Sequence, residues 1–293
     1  MSREEFDRFL KGAIGLGAAI GAFLKQEHNK APLDSTGVVE FIPKPDVDFD
    51  SLNLPYKNSD ILEVKKVTSG AIPSPLEHIV DLMEGRDHLL YVRLKDGKEL
   101  LVKPYKSTSE REILARLRGS KISLVLGHTP EDTKPGYFFE ELPGIPSIED
   151  ALKSRSTFLP KVADLFGMAL YTIHSKGVSY NGRFDRHVFA DDISKKVRIS
   201  NFSNAVFASS QSYLRSDIIQ AFKYMETLAT EYHVGEKDFL RAIGGFSLGY
   251  MVPIDGENKF STKGVYDDAV RYVLLNESPN APIATALKRI TKN

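Results

Sequence analysis

The stretch VSYNGRFDRHVF, residues 178–189, gathers side chains able to do acid–base work into one short loop. Asp185 and His187 lie close together there, and Asp191 and Asp192 follow. Imidazole titrates near neutral pH and a carboxylate accepts protons, so the pair could form a general base. Arg183 and Arg186 sit among these acids and could instead neutralise Asp185 or Asp192. Farther upstream, Lys103 ends the alternating run KELLVKPY, and Glu110 and Glu112 follow in EREILARL. Read by themselves, these are a strand-end lysine and a helix start with well-placed acids. Other chemistries lack their signatures. The histidines show no H-E-x-x-H spacing, and there is no G-x-S-x-G elbow, G-K-[ST] phosphate loop or Rossmann fingerprint. No compact basic-aromatic motif suggests nucleic-acid readout.

The elements that must position these residues are legible from pattern. Residues 61–68 alternate as a strand, 69–75 are breaker-rich, and PLEHIVDLMEG reads as a short amphipathic helix. HLLYVRL and KELLVKPY flank Asp96-Gly97, a strong hairpin signal. Residues 108–118 open on Thr108 or Ser109 with acids in the first turn, as a helix does. ISLVLG and GYFFEEL supply two more strands, and Leu142-Pro143-Gly144 breaks the chain. From 147 the character is helical, with a long segment over 160–176, short strands at 188–191 and 196–200, and helices from about 213 onward. The expected fold class is therefore α+β, strands with one helix first and mainly helices after the breaker.

This order and four groups of residues resemble the protein-kinase-like superfamily, most closely its aminoglycoside-phosphotransferase-like and other atypical branches. The resemblance covers roughly residues 61–290. It implies a two-lobed fold: a small N-lobe with an antiparallel sheet and one main helix, and a larger, mainly helical C-lobe. LLVKPY looks like the strand whose lysine contacts the nucleotide phosphates, which makes Lys103 that lysine. EREILARL is similar to the helix that supplies its pairing carboxylate, implying Glu110, with Glu112 as runner-up. YFFEELPG resembles the hinge strand, where backbone groups from Glu140 to Leu142 would face an adenine. LYTIHSKGVSYNG matches a helix end and catalytic loop, with Leu170, His174, Gly177 and Val178 in place. RSDIIQAF places Asp217 where the family braces that loop from a helix.

The residues that would do chemistry are replaced. Gly182 stands at the catalytic aspartate, Tyr180 at the loop histidine, His187 at the magnesium-binding asparagine and Asn201 at the D-F-G aspartate. Phosphoryl transfer needs an oriented nucleophile and a metal that neutralises charge. Magnesium is a hard cation that favours carboxylate and phosphate oxygens, whereas His187 offers nitrogen and Asn201 a neutral carbonyl. Ser69-Gly70-Ala71-Ile72-Pro73 replaces a glycine-rich phosphate loop, and Pro73 has no N–H to offer.

Balanced charge, with 39 basic and 39 acidic residues, gives no overall drive toward nucleic acid or anionic lipid. With no cysteine, disulfide scaffolds and thiolate sites are excluded. The expected organisation is an N-terminal amphipathic helix at 1–27, an extended Pro/Asp-rich linker at 28–60, an N-lobe at 61–144 and a C-lobe at 145–293. GAIGLGAAIGAFL is too short to span a bilayer, so residues 6–25 pack on the domain, meet a partner helix or lie at a membrane interface. Within it Gly17 and Gly21 form a small-xxx-small pair, which allows close helix approach. The leading expectation is a pseudokinase: a regulatory or scaffolding module for an unidentified protein partner, cytoplasmic, with membrane association as a variant of that location. It keeps the Lys103–glutamate pair, His174, Gly177 and Asp217 for shape, has no metal site of its own, and binds ATP weakly if at all, without magnesium or with weakly held magnesium. Two alternatives stand beside it. One is a divergent ATP-dependent phosphotransferase in which Asp185 and His187 rebuild the site; the other is an unrelated α+β binding protein.

Overall fold

The computed structural model describes residues 40–41, 56–68, 86, 88–120, 122, 124–129, 136–142, 144–251 and 262–291. The expected helices over 6–25 and 75–85, the turn over 69–75 and most of the 28–60 linker lie outside these residues.

Among the described residues, six strands form an antiparallel sheet in the order β1-β2-β3-β4-β6-β5. They are β1 (Glu40–Phe41), β2 (Ile61–Thr68), β3 (His88–Leu94), β4 (Glu99–Pro104), β5 (Val125–His128) and β6 (Tyr137–Glu141). The Asp96-Gly97 turn joins β3 to β4 as its sequence requires, with Gly97 at φ 88°, a conformation glycine adopts without steric cost. Glu40 and Phe41 come from the stretch read as linker, yet they pair with Lys66 and Lys65 at the sheet edge. Two extended residues satisfy their backbone groups by pairing but are too few to show the alternation that marks a strand in sequence.

Between β4 and β5 runs helix α1 (Thr108–Leu117), capped by Ser107, whose hydroxyl accepts the Glu110 N–H. Its apolar face, Ile113, Leu114 and Leu117, is buried in the main core. After β6 come α2 (Ile148–Ser154), α3 (Leu159–Ser175) and two small strand pairs: β7 (Val178–Ser179) with β10 (Val206–Phe207), and β8 (Val188–Asp191) with β9 (Lys196–Ile199). Helices α4 (Gln211–Glu231), α5 (Glu236–Met251), α6 (Thr262–Asn276) and α7 (Pro282–Thr291) complete the chain. The arrangement is mixed α and β, an antiparallel sheet followed by a mainly helical part. No helix among the described residues is long and apolar enough to cross a membrane.

The frame under the loop is stiff because α3 and α5 meet backbone to backbone. A methyl group added at Gly249 would lie 2.0 Å from the Asp164 carbonyl oxygen, and one at Gly167 would lie 2.2 Å from that of Phe246. Only glycine permits that approach, and the resulting contact fixes the first half of α3, while His174 near its other end meets Tyr250 of α5. Phe166, Phe222 and Phe246 pack around the crossing, fully buried; burying each contributes about 1.5–3 kcal/mol. Both faces of the sheet carry buried apolar residues. One holds Val64, Leu90, Val92, Leu94, Leu100, Val102 and Phe139. On the opposite face Val67, Leu89, Tyr91 and Leu101 meet Phe189 from the helical part.

Candidate active-site region

The loop after α3 is held by one carboxylate. Asp217, on α4 and 1% exposed, accepts hydrogen bonds from the Tyr180 N–H (2.7 Å), the Asn181 N–H (2.8 Å) and the Ser179 hydroxyl (2.9 Å). His174 Nε2 lies 3.0 Å from the same carboxylate and Nδ1 lies 2.7 Å from the Tyr250 hydroxyl. Ionised, a carboxylate only accepts, so Nε2 carries the proton. Gly177, at φ 68°, ends α3 in left-handed geometry and turns the chain into β7. His174, Gly177 and Asp217 thus lie together as one brace around the loop.

Inside that brace, Tyr180 fills the space at Gly182. The Tyr180 ring is fully buried and stacks on Phe184 with centroids 4.8 Å apart. Its hydroxyl is shared between the Ser200 carbonyl at 2.9 Å and that of Arg183 at 3.1 Å. A Cβ at Gly182 would stand 2.9 Å from this ring, so the position has no room for a side chain.

His187 and Asn201 are brought together, but by bonding to each other. Asn201 Nδ2 lies 3.0 Å from His187 Nε2, and the Asn201 carboxamide oxygen accepts the Ser203 hydroxyl at 2.7 Å. An amide N–H donates, so His187 Nε2 accepts, and Nδ1 carries the proton toward Ser200 Oγ at 3.1 Å. Asn201 occupies the left-handed region at φ 62°, a conformation asparagine tolerates better than most residues. Asp185 pairs with Arg183 at the surface, 2.6 Å apart, and Asp192 pairs with Arg155 at 2.5 Å. Asp185 and His187 therefore have separate partners. The residues present do not fit magnesium: the oxygen of Asn201 and the Nε2 of His187 are both engaged, and Gly182 has no ligand atom. Among the described residues no group of three or more His, Asp and Glu could hold a metal.

On the sheet side the expected pairing is exchanged. Lys103, 0% exposed, forms its ion pair with Glu140 at 2.5 Å. Glu110 pairs with Arg86, both buried. Glu112 points outward from α1 and is exposed. Register explains the first pair: Leu101 lies opposite Glu140 and Lys103 opposite Phe138 across β4 and β6, so lysine and glutamate are diagonal neighbours on one face. The backbone donors expected to meet an adenine are also engaged. Leu142 N–H donates to the Glu99 carbonyl at 3.2 Å and Glu141 N–H to that of Leu124 at 3.0 Å. Beside them Tyr91, 1% exposed, packs with Leu101 and Phe189, and its hydroxyl donates to Glu99 at 2.5 Å. Burial, reinforced by that carboxylate, pushes the Tyr91 pKa far up. The Glu141 and Leu142 N–H groups are thus bonded within the protein.

The sequence reading missed Glu149. It lies on α2, 7% exposed, and its Oε1 accepts the Arg186 N–H at 2.6 Å and the Tyr224 hydroxyl at 2.8 Å. Desolvation raises its pKa despite those two donors. In sequence it is an ordinary first-turn acid, and only its position beneath the loop sets it apart. Arg86 was missed for a similar reason, since nothing local marks it. A surface groove of about 610 Å³ between α3 and α5 is lined by Lys161, Asp164, Met168, Asp192, Lys195 and Leu248 among others; of the acids singled out in the sequence it includes Asp192, and it is not lined by Lys103, Gly182, His187 or Asn201.

No protein-family model matches the chain and no curated protein matches it. Among solved structures it is similar to WaaP in complex with acyl carrier protein, at 14% identity over 70% of this chain and 84% of that one, with a TM-score of 0.40. That likeness is too loose to carry a function or a residue role across. The mixed α and β order, with its antiparallel sheet and helical remainder, is consistent with a kinase-like fold.

Proposed function

We propose that this chain is a pseudokinase: a kinase-like protein that does not transfer phosphate and acts as a regulatory or scaffolding module for a protein partner. The carrying observation is the hydrogen bond between Asn201 and His187. The two side chains at the expected metal positions satisfy each other, and the carboxamide oxygen is taken by Ser203. Three further contacts support the reading. Tyr180 covers Gly182, Tyr91 and Phe189 close over the sheet face, and the hinge N–H groups of Glu141 and Leu142 bond within the protein. Against this loss, Asp217 keeps four donors and holds the loop's shape. A frame retained without its chemistry serves recognition.

The test is thermal unfolding of the purified full chain with ATP, with and without magnesium or manganese. A ligand selective for the native state raises Tm, and a Tm unchanged by millimolar ATP and metal is the expected result. A metal-dependent rise would overturn the proposal in favour of a phosphotransferase with a rebuilt site.

A further inference from the structure

We propose that Arg86, and not Lys103, holds helix α1 against the sheet, so that the position of α1 is independent of whatever meets Lys103. Arg86 joins three elements. Its Nη2 pairs with Glu110 Oε1 on the first turn of α1, the two side chains being 2% and 1% exposed. Nε donates to the Pro104 carbonyl at the end of β4, 2.9 Å away. The guanidinium carbon stands 5.1 Å from the centre of the Phe138 ring on β6, within cation–π range. The other oxygen of Glu110 accepts the Lys106 N–H at 2.7 Å. A guanidinium suits this task because its planar fork serves two acceptors in fixed directions, which an ammonium does less well.

Lys103 is engaged with Glu140, inside the sheet. Where one lysine serves both a helix carboxylate and a ligand, helix position and ligand binding are linked. Here Glu110 is paired with Arg86 and Glu140 with Lys103, so the two tasks fall to two cations. The far end of α1 is fixed as well. Arg116 Nη1 lies 3.3 Å from the Lys176 carbonyl, and its guanidinium carbon stands 4.6 Å from the centre of the Phe207 ring. Helix α1 is thus a strut between the sheet and the loop frame, pinned at both ends by arginines. This inference rests on those contacts and not on the absence of catalysis.

Amide hydrogen exchange on the full chain tests it, read over residues 108–118 and compared with α4 and α5. Two double variants remove each pair without leaving a buried charge: Arg86→Met with Glu110→Gln, and Lys103→Met with Glu140→Gln. The first is expected to speed exchange in α1 about tenfold or more while α4 and α5 keep their rates. Arg86→Lys, which keeps the charge and loses the fork, should fall between it and the parent. The second double variant should leave α1 within about threefold of the parent, and ATP with magnesium should leave parental α1 rates unchanged. If the first double variant does not fold, Arg86→Lys, which keeps the charge beside Glu110, carries the comparison with the Lys103 pair by itself. Equal loosening by both double variants, no loosening when the Arg86 pair is removed, or slower α1 exchange on adding ATP would each overturn the proposal. A metal-dependent Tm rise without any change in α1 rates would overturn the functional reading and leave this one standing.

Discussion

Placing a side chain at Gly182 tests whether the loop has been filled rather than merely stripped. Gly182 has no left-handed φ, so alanine meets no backbone penalty there and the cost is purely steric. Its Cβ would lie 2.9 Å from Tyr180 Cε1 and 3.2 Å from Cζ, whereas carbons rest about 3.5–4.0 Å apart. The ring has little freedom to yield. It stacks on Phe184, meets the edge of Phe202 at 5.5 Å between centroids, and is tethered through its hydroxyl to Ser200. Overpacking of this kind costs about 1–3 kcal/mol, and the stiffer unfolded chain returns about 0.4–1 kcal/mol. Gly182→Ala should therefore lose about 1.5 kcal/mol in urea unfolding. Gly182→Asp should lose more, about 3–4 kcal/mol, because a carboxylate must also be desolvated against the ring. In a cycle with Tyr180→Leu, the cost of Gly182→Ala should shrink by about 1 kcal/mol, since the obstructing ring is gone. A Gly182→Ala variant within about 0.5 kcal/mol of the parent, or additive behaviour in the cycle, would refute the filled-site reasoning.

Two further outcomes follow from the same structure. Gly249→Ala should cost about 3 kcal/mol or more by chemical denaturation, because its methyl would meet the Asp164 carbonyl at 2.0 Å and neither helix backbone can retreat; a neutral substitution would mean that the α3–α5 crossing is looser than described. Glu149 holds its proton more tightly folded than unfolded, so its contribution to stability falls as pH rises from its ordinary value of about 4.3 upward through the raised folded one. Glu149→Gln still offers an oxygen to Arg186 N–H and Tyr224, so its stability profile above about pH 4 should be flatter than the parent's; parallel profiles would show that Glu149 binds its proton no more tightly in the folded state.

Much of the frame is legible in the residues alone. Asp96-Gly97, the acids opening α1 and the glycine ending α3 are local signals, each tied to one backbone geometry. The loop's replaced residues are legible for the same reason, as fixed spacings after His174 and before Asn201. What escapes the sequence depends on register and rotamer. Lys103 meets Glu140 only because β4 and β6 align Leu101 with Glu140. Arg86 reaches Glu110 across the whole β3–β4 hairpin, a separation that no local pattern records, and it displaces the expected lysine–glutamate pair. That Tyr180 turns its ring onto Gly182 depends on Phe184 and Phe202 being in place beside it. The spacing of Gly245 and Gly249 does carry a signal, a small-residue pair like Gly17 and Gly21, and it marks the α3–α5 crossing.

The bond between Asn201 and His187 also constrains the order in which changes at this loop can succeed. Asn201→Asp alone would set a carboxylate against His187 Nε2, where it would draw a proton onto the imidazole and form an ion pair facing inward. His187→Asn alone would leave two carboxamides competing for the same contact, with Ser203 still holding one oxygen. Neither single step exposes an oxygen to a cation, so a metal site is reached only when both positions, and Ser203 with them, change together. At this loop each of these single substitutions re-forms a contact between the two positions instead of opening one.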